Sequence, residues 1–487
     1  MYFGGCVFAA MFSCATLVSA QTTPEAFLDE MSGLYAKQGM SLDIGSQTRD
    51  GDTLQVRDLS MTFSAQDAEM TMMFDGFDIS EIDEVGYDLE VTFPEVVDLS
   101  VAGTSQGIEI KYNMSMQLEG RYLVGGTTDN RTITVDFPSA SINVDDLAFG
   151  SADIPPVNMS ILSTGNSGTI EIVNGDRFTY SGTGDDVSVS FSVDNDGKKF
   201  EFNGNYTGLA ATGGGPIIDI GDPDALFASA VPTEVFLTTD SGALTATGTG
   251  NDGFSFSAQN GAAFLKALFG KGMVDYSLGA DEIKATFSSD ALPIPPVEVD
   301  IAKYESRFAM PVVPHDEAGL AALLIKLDGV SVSEGLWSLI DPGQSIPRDP
   351  AVIQLDVTST MRALYNMFDA DAMAAAAGQM PFEVDDVQLN ALTVSVAGAA
   401  ITGTGQADID NGGPFPMPVG GVDFKINGIN GLIEKLVGAG ILQAEQAMPA
   451  QMMLGMFAKP GAAPDEFTSR LEMGADGSIT ANGIPLQ

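Results

Sequence analysis

Any Ser-His-Asp triad in this sequence would have to use His315, the one histidine among its 487 residues. It stands in Val313-Pro314-His315-Asp316. His315 therefore reads as a loop residue feeding a helix rather than as a base. Zinc sites draw on several His or Cys ligands, and the two cysteines, Cys6 and Cys14, both lie in the first twenty residues. Carboxylates are what remains for acid–base work. Paired acids hydrolyse glycosides when held at a fixed separation, and Asp145-Asp146, Asp185-Asp186 and Asp385-Asp386 supply neighbouring pairs. In a chain with 66 acidic residues such neighbours also arise from composition alone. Asp194-Asn195-Asp196-Gly197 and Asp408-Ile409-Asp410-Asn411-Gly412 resemble calcium loops, but neither has the downstream Glu of an EF-hand. Asp and Asn before Gly are ordinary turn residues. Gly213-Gly214-Gly215-Pro216 follows no phosphate-binding pattern. No metal or cofactor is implied.

Two further groups of residues invite a binding role. Met448, Met452, Met453 and Met456, with Phe457, make a segment that is apolar beyond one helical face. Methionines adapt to irregular surfaces, so these residues are expected either to pack against one end of a sheet or to line a groove for an acyl chain or a partner helix. The second group is Trp337, Asp341, Pro342, Arg348, Asp349 and Pro350. An Arg between two prolines and beside Asp349 could clamp a carboxylate. The spacing is better suited to a rigid turn that delivers a strand at Val352, with Arg348 paired locally and Trp337 packed under it.

These residues need elements to hold them. Thr23-Pro24-Glu25 is a capped helix start, and Phe27, Leu28, Met31, Leu34 and Tyr35 give that helix one apolar face, ended by Gly39. The period then changes to two. Leu54 and Val56, then after a shift Leu59, Met61 and Phe63, alternate with polar residues, as do Met70 to Phe74, Val85 to Phe93, Ile108 to Leu118 and Val187 to Val193. Such alternation marks strands with one buried face, and turns such as Asn174-Gly175 and Asp196-Gly197 join them into an antiparallel meander. The pattern breaks at Gly213-Gly214-Gly215-Pro216, which divides a β-rich unit over 21–220 from a sheet-plus-helix unit over 221–487. In the second unit helices are expected at 262–269, 316–327, 358–377, 429–439 and 443–457, the last two forming a hairpin around Gly440. The fold class is α+β, mainly antiparallel β, with extended curved meander sheets in two related units and helices covering one face.

Composition bounds the partners. A net charge of −45 repels nucleic-acid phosphates and anionic headgroups, so nucleic-acid binding is excluded. Residues 1–20 carry no charge and end in Val18-Ser19-Ala20, which reads as a cleaved signal peptide that leaves a cysteine-free periplasmic protein. Lipid attachment at Cys14 and an uncleaved membrane anchor are the alternatives. No later segment approaches a transmembrane span.

Three segments carry a family resemblance: Thr23-Pro24-Glu25 through Gly51-Asp52-Thr53-Leu54-Gln55-Val56-Arg57-Asp58; Leu336-Trp337-Ser338-Leu339-Ile340-Asp341-Pro342-Gly343 through Pro347-Arg348-Asp349-Pro350; and Gly421-Val422-Asp423-Phe424-Lys425-Ile426-Asn427-Gly428 through Asp476-Gly477-Ser478-Ile479-Thr480-Ala481-Asn482-Gly483. Over nearly all of the chain after residue 20 the sequence resembles the exported bacterial domain-of-unknown-function 2125 family. The closing strand–turn–strand is more loosely similar to AsmA-like envelope proteins, whose long sheets handle lipid. The resemblance implies an envelope location and a β-rich fold, and it brings no catalytic residues. The function expected is that of a non-enzymatic periplasmic envelope protein binding an apolar or lipid-like ligand or a partner protein. A carboxylate-based, glycosidase-like envelope hydrolase is the competing reading.

Overall fold

The computed structural model describes residues 22–486 except 66–67, 106–107, 151–154, 220–221, 251, 377–379 and 414–415. The expected signal peptide and both cysteines lie outside the described residues. The chain forms two compact units divided between Ser255 and Phe256, and it is mainly antiparallel β with few helices.

The first unit opens with helix α1 (Pro24–Lys37), whose cap is the Thr23 hydroxyl accepting from the Ala26 amide. There follow β1 (Met40–Asp50), β2 (Thr53–Ala65), β3 (Ala68–Glu84), β4 (Tyr87–Thr92), β5 (Val96–Ser105), β6 (Ile108–Thr127), β7 (Asn130–Phe149), β8 (Val157–Val173), β9 (Arg177–Asn195) and β10 (Lys198–Pro216). Each pairs antiparallel with a near neighbour. After helix α2 (Pro223–Ala228), strands β11 (Thr233–Thr239) and β12 (Ser241–Gly248) both pair with β10. The core lies under α1, where Phe27, Leu28, Met31 and Tyr35 pack on Leu54, Val56, Ile79, Val91, Val124 and Ile133. The expected break at Gly213-Gly214-Gly215-Pro216 is instead the end of β10. A β-carbon at 213 would lie 2.3 Å from the Glu234 carbonyl and 2.7 Å from the Tyr180 ring, so glycine serves close strand packing here and not a linker.

The long strands change which parity faces the core. Asp58 in β2 (φ 55°) separates Leu54 and Val56 from Leu59 and Met61, and β10 carries Gly208 in the same left-handed conformation (φ 61°). These positions oppose one another across neighbouring strands: Gly45 leaves room for Asp58, Gly165 for Asp185 and Gly208 for Asp240. A left-handed residue at mid-strand lets a strand of up to twenty residues keep its apolar side chains on one face through a kink.

The boundary between the units falls inside β13 (Phe254–Asn260). The second unit continues with β14 (Ala263–Gly270), β15 (Met273–Ser289), β16 (Val297–Pro311), β17 (Gly319–Val332), helix α3 (Glu334–Ile340), β18 (Ala351–Ala363), helix α4 (Ala370–Ala375), β19 (Phe382–Val384), β20 (Asp386–Val396), β21 (Ala399–Asp410) and β22 (Met417–Asn427). Helices α5 (Ile429–Gly438) and α6 (Ala444–Phe457) follow, then β23 (Lys459–Pro460), β24 (Glu466–Met473), β25 (Ile479–Ala481) and β26 (Ile484–Pro485). The αα-hairpin lies where the sequence places it, with Gly440 left-handed between its arms. Three expected helices are strands instead. Residues 263–269 lie in β14, 319–327 in β17, and 358–363 close β18, with the short helix α4 following at 370–375. In β17, Ala321, Leu323, Ile325 and Leu327 alternate, and pairing with β16 and β18 outweighs the helix propensity of Leu and Ala.

Candidate ligand-binding faces

Alternation within strands and register between them together produce unbroken apolar rows. In the first unit Leu59 pairs with Phe74, Phe74 with Leu99, Leu99 with Met114, Met114 with Val144, Val144 with Met159, Met159 with Phe191, Phe191 with Phe202 and Phe202 with Ala246. Neighbouring strands lie about 4.8 Å apart, so this row runs roughly 38 Å. It starts buried, at Leu59 and Leu99, and becomes half-exposed from Met114 onward. The opposite face is polar in the same register: Asn143, Ser160, Ser190, Asn203 and Thr245 are successive partners.

Where the buried end of this row meets α1 there is an apolar cavity of about 20 Å³. Met31, Met61, Met72 and Met116 line it together with Tyr35 and Phe74. A space of that size admits about one water, but apolar walls offer a water no partners.

The second unit repeats the arrangement. Ala263, Ala280, Tyr304, Leu327, Ile353, Val394, Ile401, Ile426 and Phe467 are successive partners across nine strands. Beside them Tyr276, Phe308 and Leu323 form a second run, and Phe308 is 48 % exposed. The other face carries ion pairs: Arg307 with Asp275 at 2.8 Å, Lys326 with Asp328 at 2.8 Å, and Arg470 with Asp423 at 2.6 Å. An open hollow of about 440 Å³ over β20 to β24 is lined largely by this polar face, including Thr393, Thr402, Asp423, Lys425 and Arg470.

One buried ion pair fastens α1. Arg131 of β7 is fully buried; its guanidinium donates to Glu30 at 2.9 Å, to the Thr22 hydroxyl at 3.2 Å and to the Gly126 carbonyl at 3.3 Å, and lies 5.8 Å from the Phe27 ring centre. Burial pushes the Glu30 carboxyl up to about 7 against the opposing pull of Arg131. Nothing in the sequence around Asn130-Arg131-Thr132 marks this arginine as buried.

Arg348 donates to Glu334 and to the Asp341 carbonyl, and stacks over the Trp337 ring at 5.5 Å. Asp341 is buried and accepts from the Ile346 amide at 2.8 Å, a bond that holds its carboxyl below the usual range. Pro342 begins the turn after α3, and Asp349 and Pro350 lead directly into β18. These residues thus form one knot between helix and strand.

Met448, Met452, Met453 and Met456 are 65, 69, 58 and 62 % exposed, so they do not plug the end of a sheet. Phe457 is half-buried, and its carbonyl accepts from Ser469 at 2.5 Å and Asn482 at 2.9 Å, which fixes the end of α6 against β24. His315 precedes a strand rather than a helix, and its Nδ1 accepts from the Glu317 amide. The calcium-like loops close as turns, with the Gly197 amide on Asp194 and the Gly412 amide on Asp410. Asp386 accepts from the Thr360 amide at 2.7 Å, a structural contact between β18 and β20. Among the described residues no group of three His, Cys, Asp or Glu side chains is placed to hold a metal ion, and no helix is long and apolar enough to cross a membrane.

The profile of a family described as "Uncharacterized protein conserved in bacteria (DUF2125)" matches residues 224–487. The segments at 336–350 and 421–483 fall within that match, and the opening segment at 23–58 lies before it. No curated protein and no solved structure matches the chain.

Proposed function

Because the chain belongs to the DUF2125 family of bacterial proteins, whose description assigns no reaction, we propose that it is a non-enzymatic protein of the bacterial envelope that holds the acyl chains of a lipid-like ligand against the apolar faces of its sheets. The observation that carries this reading is the unbroken apolar register across nine strands in each unit, with side chains such as Phe308 and Leu323 left 48 % and 40 % exposed. Large contiguous apolar surfaces on soluble proteins mark binding sites. A row of aromatic, Met and branched side chains, with the ion pairs on the opposite face, matches an extended hydrocarbon chain, which needs contact along its length and no hydrogen bonds. The uncharged segment at 1–20 supports an export route to the envelope.

Protein purified from its bacterial host is expected to carry lipid, detected by native mass spectrometry before and after solvent extraction. Phe202→Glu places a charge on the apolar row of the first unit and is expected to lower the acyl probe bound to that unit at least tenfold. Ser190→Glu, one strand away on the polar face, is expected to leave binding unchanged. Lipid-free protein that takes up no acyl probe would refute the reading, as would equal loss in both variants.

A further inference from the structure

The apolar rows leave helix α6 unexplained. It presents Met448, Met452 and Met456 at i, i+4 and i+8, with Met453 beside them, all outward, while Ala447, Leu454 and Phe457 form its inner, half-buried side. The stripe is about 12 Å long at 1.5 Å per residue. The segment from Gln446 to Ala458 contains no ionisable side chain, in a chain whose net charge is −45. Ile441, in the loop before the helix, is exposed as well.

We infer that α6 is a membrane-contact element, which lies in the interface of an uncharged or zwitterionic bilayer with its methionines among the upper acyl carbons. Charge selects this occupant. The acidic surface of the molecule is repelled by anionic headgroups, so contact requires a patch without carboxylates; the helix supplies one from Gln446 onward, its single carboxylate, Glu445, lying in the first turn before the methionines. It lacks the Lys and Arg that draw interfacial helices to anionic lipid, so its binding rests on apolar area. Four methionine side chains offer well under the roughly 800 Å² per partner of a standard protein interface, which argues against a second copy or a folded partner. Methionine suits a fluid surface because its unbranched chain adopts many conformers at little strain. The bonds from Ser469 and Asn482 to the Phe457 carbonyl hold the helix end on β24, so the stripe is presented from a fixed base.

The inference does not depend on the acyl-binding reading, and the two fail separately. The test is flotation of the purified full chain with phosphatidylcholine vesicles and with vesicles containing phosphatidylglycerol. The expected result is binding to phosphatidylcholine that persists at high salt and is weaker on the anionic vesicles. A Met448→Gln/Met452→Gln/Met453→Gln/Met456→Gln variant is expected to lose at least tenfold in the bound fraction. Its circular dichroism and acyl-probe binding are expected to stay as in the parent, since the exchanged side chains are exposed. Met452→Cys carrying an environment-sensitive dye is expected to shift to the blue on adding vesicles. Failure of the parent chain to float, equal flotation of the fourfold variant, or self-association that the variant abolishes would each overturn the inference.

Discussion

A fully buried guanidinium is tolerable only with an anion and further acceptors around it. Arg131 has Glu30, Thr22 and Gly126. Above about pH 7, where Glu30 carries its charge, Glu30→Ala would leave that cation uncompensated and is expected to destabilise the first unit by about 3–5 kcal/mol, whereas Glu30→Gln retains an acceptor and should cost less. The pair also makes stability depend on pH. The Glu30 carboxyl is raised from 4.5 to about 7 by burial, so between those values the folded chain holds a proton that the unfolded chain releases. Its contribution is therefore complete below about 4.5 and is lost as pH rises through about 7. Denaturant midpoints measured from pH 5 to 8 are expected to fall with rising pH in the parent relative to Glu30→Gln. Parallel profiles would show that Glu30 does not titrate in that window. Asp341, Glu466 and Asp476 are shifted the other way, so their effect belongs to more acidic solutions.

At the scale of strands and helices, the kinks that keep apolar side chains on one face depend on particular backbone conformations. Gly120 in β6 has φ 146°, and an added β-carbon would lie 2.1 Å from the Asp136 carbonyl. Gly120→Ala is expected to destabilise by at least about 1–3 kcal/mol, the usual range for such strain. Gly204→Ala in β10, where the nearest atom to the added carbon is at 3.5 Å, should be neutral by the same urea titration. Equal losses in both would mean that the kink is not the constraint. The sequence carries part of this geometry openly. The shift in alternation between Val56 and Leu59 marks the Asp58 kink, and Thr23-Pro24-Glu25 marks the start of α1, because both signals are local. The strands at 263–270 and 319–332 were hidden behind their Leu and Ala content, since what decides them is pairing with strands tens of residues away. The knot of Trp337, Asp341 and Arg348 was legible because its members lie within twelve residues. The Arg131–Glu30 pair was not, because its members are 101 residues apart and meet only after α1 packs on the first sheet. The apolar rows stand between these cases: alternation gives the face of each strand, but only the register shows that the faces align without a break.

Over the whole molecule, nearly all of the 66 acidic and 21 basic side chains must share the surface left by the apolar faces, Arg131 and Asp341 being buried. Local pairing relieves some of the excess, as at Lys303 with Glu305 and Lys425 with Glu466, but 21 cations cannot neutralise 66 anions. The remainder repel one another in the folded state more than in the expanded chain, where their separations are larger. At 0.01 M ionic strength that repulsion acts over about 30 Å, and at 0.1 M over about 10 Å. Raising sodium chloride from 0.01 to 0.5 M is therefore expected to raise the thermal midpoint, with most of the gain below about 0.15 M, where the screening length falls fastest. Sulfate salts are unsuitable for this measurement, since they also strengthen apolar burial. The same titration on the Phe202→Glu variant should show a larger rise, because its added anion joins an already negative molecule. A midpoint that stays flat or falls with salt would show that local ion pairs, and not long-range repulsion, dominate the electrostatics of this chain.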